Sequence, residues 1–412
     1  MKIRRVLILA LLSIVAFEAV AQTDSILVLN KDTVAYRYTP INTSRSNSNR
    51  GGGIERNRRH FAVGMLGEEQ ERRVNMAFLP TVYYTPSTSA GVALIAMGKY
   101  RLGKQSRKTP ASDFSIYATA SLTGFYRVGV DGHNFFNNDN QRIAYNAEFY
   151  SMPTRFWGVG YDAAMSNSSI QYLSSRTLVD MRFLQRLTKG LYVGVGADFD
   201  YNFGRFSKGK YASEEELLAL LGGERTSYSA TGLSLLVEYD TRDAIANPKR
   251  GVYVALQAKV RPKAFNNVGH TLWMGGLTAN YYQRLWKGAT LAFDLRAELN
   301  SKATPWVYNA SLGSSLRGYY AGRFNDLCAI SLQAELRQAI YKRFGAVAWG
   351  GAANVFRSFG SFAWSETLPT YGVGLRYEVL KGVNLRLDYG FGGCDARGKL
   401  IHGAIFSVNE AF

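Results

Sequence analysis

From about residue 75 to the last residue, apolar and polar side chains alternate in segment after segment, yet no apolar run reaches the ~18 residues that a membrane-spanning helix needs. Val383, Leu385, Leu387, Tyr389 and Phe391 alternate with Asn384, Arg386, Asp388 and Gly390. Ala289, Leu291, Phe293, Leu295, Ala297 and Leu299 alternate with Thr290, Ala292, Asp294, Arg296, Glu298 and Asn300. Ile330, Leu332, Ala334 and Leu336 alternate with Ser331, Gln333, Glu335 and Arg337. A period of two gives each β-strand one apolar and one polar face. A soluble sandwich would alternate too, but two features point to a membrane barrel. The segments run to about 9–15 residues, longer than the usual 5 or 6 and long enough to cross a bilayer at a tilt. The polar face also carries full charges in mid-strand, as at Asp294, Arg296 and Glu298, which suits a wet lumen. The reading is an all-β chain: a 16-stranded antiparallel transmembrane β-barrel over residues 75–412.

The strand count supports it. Segments begin near residues 74, 90, 113, 140, 155, 169, 190, 228, 251, 270, 288, 327, 344, 369, 382 and 400, an even number as a single-chain bacterial barrel requires. In the second half, short connections (187–190, 284–288, 341–345, 380–382) alternate with long ones (207–226, 301–326, 357–369, 392–399), as short periplasmic turns and long outer loops predict. The weakest strands are those near 155 and 169, and residues 156–164 also read as loop. The loop after strand seven contains a helix: Ser213 and Glu216 form a capping box ahead of Leu217, Leu218, Leu220 and Leu221, and Gly222 ends it. It reads either as a cap on the outer mouth or as a solvated ornament.

The N-terminus reads as an export signal. Lys2, Arg4 and Arg5 precede an apolar run from Val6 to Phe17, followed by Ala19-Val20-Ala21, so residues 1–21 are expected to be a signal peptide. Residues 22–74 are polar and aperiodic and read as a disordered or extended periplasmic lead-in. The net charge is 49 − 31 = +18, and losing three bases and Glu18 leaves +16. In a cytoplasmic chain that charge would suggest nucleic acid. In an exported one it suits anionic lipid head groups or lumen lining, so nucleic acid is not an expected partner.

Catalytic patterns are absent. There is no G-x-S-x-G, no H-E-x-x-H and no glycine-rich loop opening a helix. His270 and Asp326, both placed near the outer rim, are far apart in sequence and read as loop residues. Two Cys and four scattered His give no disulfide scaffold and no metal-ligand pair. The chain is therefore expected to be no enzyme, with no cofactor and no metal.

Three motifs carry a family resemblance. Asp240-Thr241-Arg242-Asp243 followed by Asn247-Pro248-Lys249-Arg250-Gly251 resembles the DTRD…NPxxG turn of the BamA/TamA-type (bacterial surface antigen) outer-membrane barrels. Leu316-Arg317-Gly318-Tyr319, between strands eleven and twelve, resembles that superfamily's [VIL]RG[FY] sixth-loop signature. The terminal Phe412 is similar to the last aromatic of many such barrels and is expected to act as an assembly signal closing a strand from Ile401. The resemblance covers residues 75–412. There are two departures. Residues 22–74 are too few and too polar for a periplasmic POTRA module, so the chain looks like a POTRA-less branch. Where the family places an Asp in strand thirteen, this chain reads Trp349-Gly350-Gly351-Ala352-Ala353.

The resemblance implies a sixth loop folded into the lumen. An arginine buried there needs a carboxylate. Glu335 on the polar face of strand twelve is the first choice for Arg317, with Glu298 and Asp294 as alternatives. Gly318 would permit a tight turn and Tyr319 would pack on the inner wall. Removing either member of the Arg317–Glu335 pair is expected to release the loop equally. The implied function is insertion or translocation of proteins at the bacterial outer membrane. The alternatives are a passive small-solute pore and a structural or lipid-handling surface antigen. The implied surroundings are outer-membrane lipids and lipopolysaccharide, the outer-membrane assembly machinery during biogenesis, and client proteins, with the barrel itself monomeric.

Overall fold

The computed structural model describes residues 74–412 except 86–88, 103–111, 206–213, 222, 245–246, 313–315, 381–382 and 409. The signal peptide, nearly all of the lead-in and Ser213 lie outside the described residues. The chain is a 16-stranded antiparallel transmembrane β-barrel in which each strand pairs with the next along the sequence. The strands are β1 (Val74–Thr85), β2 (Ser89–Tyr100), β3 (Ser112–Ser121), β4 (Tyr126–Phe136), β5 (Gln141–Phe156), β6 (Ile170–Thr188), β7 (Leu191–Arg205) and β8 (Ser227–Asp240). They continue as β9 (Gly251–Arg261), β10 (Leu272–Arg284), β11 (Ala289–Asn300), β12 (Cys328–Tyr341), β13 (Phe344–Phe356), β14 (Leu368–Leu380), β15 (Val383–Cys394) and β16 (Leu400–Val408). Such a meander needs only local hairpin connections.

Burial is inverted relative to a soluble protein. On β14, Val373 and Leu375 are exposed, whereas Arg376 is buried. On β12, Leu332 is exposed and Gln333 and Glu335 are buried. On β8, Leu233 and Leu235 are exposed and Ser234 is buried. Apolar faces turned outward and paired charges turned inward are what a lipid surround and a closed lumen select.

The connections sort by end. Residues 137–140, 189–190, 285–288 and 342–343 make short turns at one end. Residues 157–169, 206–226, 262–271, 301–327 and 357–367 make longer loops at the other, the outer end of a barrel of this kind. The 241–250 segment, which holds the Asp240-to-Gly251 motif, and the 101–111 connection are longer than the other links at the short-turn end, and the 122–125 link at the outer end is short.

Two strand assignments need correction, and they offset each other in the count. The segment near 155 is no new strand, because β5 runs unbroken from Gln141 to Phe156. It stops where Gly158 (φ +105°) and Gly160 (φ +91°) turn the chain into a short helix, α1 (Tyr161–Ser166). The strand missing from the reading is β4, whose sequence is YRVGVDGHNFF. Its glycines lower its strand propensity, but neighbouring side chains fill the space they leave. A Cβ at Gly129 would meet the Tyr117 ring at 2.3 Å, and one at Gly132 would meet the Tyr145 hydroxyl at 2.5 Å.

The outer loops roof the lumen. Helix α2 (Glu214–Leu220) buries Leu217 and is followed by buried Leu221; both pack with Phe156, Tyr172, Trp306 and Tyr308. It therefore caps the mouth and is no solvated ornament. Ala164 of α1 packs with Val355 of β13 and Leu368 of β14, although these strands lie far from β5 and β6 in the sheet order. Arg397 in the 395–399 loop donates to Ser168 Oγ (3.2 Å) in the 157–169 loop. These contacts reach across the barrel and set the sixth loop beneath them.

Candidate functional site

The sixth loop, residues 301–327, enters the lumen through a 3-10 turn at Trp306–Tyr308 and a two-stranded ribbon pairing Ala310–Ser311 with Asn325–Asp326. Trp306 donates its indole N–H to the Arg225 carbonyl (3.0 Å), and the Tyr308 hydroxyl donates to the Asp200 carbonyl (2.9 Å). These anchors aim the tip, Leu316 to Tyr319, at the inner wall of β12 to β15.

Arg317 sits at the centre of the site, 1% exposed. Its Nη1 donates to Glu335 Oε2 (2.7 Å) on β12 and to Asp388 Oδ2 (3.1 Å) on β15. Its Nε and Nη2 donate to Gln333 Oε1 (3.3 and 3.2 Å). Its guanidinium carbon lies 3.8 Å from the centre of the Trp349 ring on β13, a cation–π contact in a dry setting. Planar, multiply donating and weakly hydrated, a guanidinium suits such a site better than an ammonium would. Thr370 on β14 closes the cage by donating its hydroxyl to the Arg317 carbonyl (2.5 Å).

The carboxylates are shared. Glu335 also accepts from Arg337 Nε (2.7 Å) and lies 3.8 Å from Arg376 Nη2. Asp388 also accepts from Arg376 Nη1 (2.5 Å) and lies 3.4 Å from Arg386 Nε. Both carboxylates are fully buried. Their charges are tolerable there only because guanidiniums surround them on several sides.

Gly318 has φ +102°, which glycine adopts at little cost and an L-residue does not. A Cβ at Gly318 would stand 2.9 Å from the backbone of Gly390 and Phe391 on β15. Tyr319 lies along the wall: its hydroxyl donates to the Pro369 carbonyl (2.9 Å) and accepts from the Gly393 N–H (2.6 Å). Leu316, Tyr319 and Phe324 form a buried cluster with Val355 and Leu368.

Asp388 was not anticipated, and the alternatives to Glu335 lie elsewhere. Asp294 accepts from Asn280 Nδ2 (2.6 Å) and pairs with Arg296 (3.1 Å). The carboxylates that Arg317 meets are Glu335 and Asp388, so neither Glu298 nor Asp294 is its partner. Asp388 did carry a signal: it occupies an inward position on β15 between Arg386 and Gly390. Nothing in the sequence brings β15 next to a loop that leaves β11. The strand-thirteen departure also has a physical reason. A Cβ at Gly351 would meet the Leu332 carbonyl at 2.4 Å and Gln333 Cγ at 2.7 Å. Gly351 thus leaves room for Gln333 to reach Arg317, and Asp388 supplies the second carboxylate from another strand.

The Asp240-to-Gly251 motif is a self-contained turn, separate from the loop site. Arg242 makes a bidentate pair with Asp240 (2.9 and 2.9 Å) and lies 4.1 Å from the Tyr253 ring centre. Asp243 Oδ1 accepts from the backbone N–H of Lys249 (2.9 Å) and Arg250 (3.2 Å). Pro248 is buried and Asn247 half-buried between them. Gly251 has φ +113°, and a Cβ there would strike the Thr241 carbonyl at 2.5 Å.

Phe412 is not in a strand. β16 ends at Val408, not at residue 412 as the terminal aromatic implied. Beyond it the chain turns into the lumen. The backbone oxygen of Phe412 accepts from Arg337 Nη2 (2.6 Å), and its ring lies 5.2 Å from that guanidinium. The contacts that hold it there are not local ones: Arg376 pairs with Glu410, and Arg337 donates to the Phe412 backbone oxygen. The rim residues considered for catalysis stand in different settings. His270 is exposed in the 262–271 loop, while Asp326 is buried in the sixth-loop ribbon and accepts from the Leu327 N–H (2.7 Å).

A sixteen-strand barrel with a sixth-loop arginine locked to its inner wall defines the class as a β-barrel of BamA-like fold. The chain is similar to BamA from Haemophilus ducreyi lacking POTRA domains 1–3, with a TM-score of 0.54 at 12% identity, over 82% of this chain and 71% of that one. It is also similar to CdiB from Acinetobacter baumannii, with a TM-score of 0.52 at 13% identity, over 82% of this chain and 60% of that one. The chain thus spans less than two thirds of CdiB. No family model and no curated protein matches it in sequence. At these identities the likeness is one of fold.

Proposed function

We propose that this chain is a non-enzymatic, monomeric barrel of the bacterial outer membrane that assists insertion or translocation of client proteins. The observation that carries this reading is the anchorage of Arg317 to Glu335 and Asp388 inside the lumen. A passive channel needs that volume open. An insertion barrel can keep its lumen filled, because it handles clients at a sheet edge where unpaired backbone groups can template a strand. The roof formed by α2, Trp306 and Tyr308 supports the same reading. In this reading outer-membrane lipids and lipopolysaccharide contact the apolar face, and the assembly machinery receives the chain during its own biogenesis.

The test is made in proteoliposomes of outer-membrane lipid. Urea-unfolded client barrel is added, and its folding is followed by its heat-modifiable gel mobility, alongside sugar-driven swelling of the same vesicles. Faster client folding than in empty vesicles, with swelling near background, is expected. Swelling at porin-like rates without any acceleration of folding would establish the channel reading instead.

A further inference from the structure

We propose that Glu410–Phe412 form a luminal latch that binds a site made by Arg337, Arg376 and Asn384 and couples the last strand to the sixth-loop lock. The ligand class is a peptide end that carries a carboxylate two residues ahead of an aromatic ring; here the chain's own tail supplies it. Glu410 is 4% exposed, although it follows the end of a strand. Its Oε2 accepts from Arg376 Nε (2.7 Å) and its Oε1 from Asn384 Nδ2 (2.6 Å). Arg337 stands 3.9 Å from the same carboxylate and holds the Phe412 backbone oxygen. The tail therefore reaches from β16 across β15 and β14 to β12.

The two guanidiniums that hold the tail also hold the loop's anchors. Arg376 bridges Glu410, Asp388 and Glu335. Arg337 bridges Glu335 and Glu410. Asp388 and Glu335 in turn hold Arg317. The sign of the coupling follows from charge. If Glu410 leaves, Arg337 and Arg376 lose a counter-charge, draw more on Glu335 and Asp388, and repel Arg317 more strongly. If Arg317 leaves, those carboxylates turn to Arg337 and Arg376 and compete with Glu410. Each therefore stabilises the other, and linkage makes the effect equal in both directions.

Hydrogen exchange on the full chain in lipid nanodiscs tests this. Glu410→Gln keeps the shape of the side chain and removes its charge. It should speed exchange of the sixth-loop amides around Arg317 by about 10-fold, within the usual range of site–site coupling. Arg317→Ala should speed exchange of the β16 and tail amides by a similar factor. Asp139→Asn breaks a different luminal ion pair, with Arg142 and Arg186, and should leave both regions unchanged. Faster tail exchange in Glu410→Gln with wild-type exchange in the sixth loop would overturn the proposal. So would an unchanged tail in Arg317→Ala, a variant that leaves the tail's own contacts in place.

Discussion

Arg317→Ala is expected to release the sixth loop from the lumen while the barrel still assembles. The loop would lose two buried ion pairs, the bonds to Gln333 and the contact with the Trp349 ring. Removing one member of a buried pair typically costs about 3–5 kcal/mol. Here the abandoned carboxylates keep Arg337, Arg376 and Arg386 as partners, so the largest loss falls on loop anchorage, with a smaller one at β16 and the tail through the shared guanidiniums, and the barrel still assembles. At about 1.4 kcal/mol per factor of ten, protease cleavage of the loop in intact barrels should rise by about 100-fold or more. The acceptors should behave unequally, contrary to a simple two-member pair. Glu335→Ala leaves Arg317 on Asp388 and Gln333, and Asp388→Ala leaves it on Glu335. Each single change should loosen the loop less than Arg317→Ala does. The double change should match or exceed it, since neighbouring members of one network are not additive. A wild-type loop that is cut as fast as that of Arg317→Ala would mean that the lock contributes nothing.

Gly318→Ala should be nearly as severe, by a route that involves no charge. At φ +102° an alanine is strained, and such a substitution costs more than about 1 kcal/mol. Its Cβ would also press on β15 backbone at 2.9 Å, and backbone cannot swing aside as a flexible side chain can. Overpacking of this kind adds about 1–3 kcal/mol. Gly390→Ala tests the same contact from the other side, because its Cβ would meet the Gly318 N at 2.8 Å. Both variants should show rapid loop cleavage with Arg317 still present. If Gly318→Ala kept the protease resistance of the wild type, the close approach of loop and wall could not be what seats the arginine.

The alternation of side chains was enough to read the barrel, the inward face of β12 and hence the placement of Glu335, because period two is a property of one strand alone. The same logic failed at β4 and near residue 155. There, glycines either hid a strand whose space is filled by Tyr117 and Tyr145, or ended one by turning the chain at positive φ. Phe412 differs for another reason: a terminal aromatic implies a strand running to the end, but Arg337 and Arg376 hold Glu410 and Phe412 inside the lumen.

What the sequence determined by itself was local and periodic. It set strand type, which face is polar, where the turns fall, and which loop carries an arginine beside a glycine able to adopt a left-handed turn. What only the tertiary structure decided was which inward groups meet. Asp388 joins Glu335 on Arg317, Gly351 makes room for Gln333, and Glu410 shares Arg376 with both anchors of the loop. These groups come from four strands, a loop and the tail. Curvature of the barrel brings them within hydrogen-bond distance, and a buried charge is stable only where such partners converge.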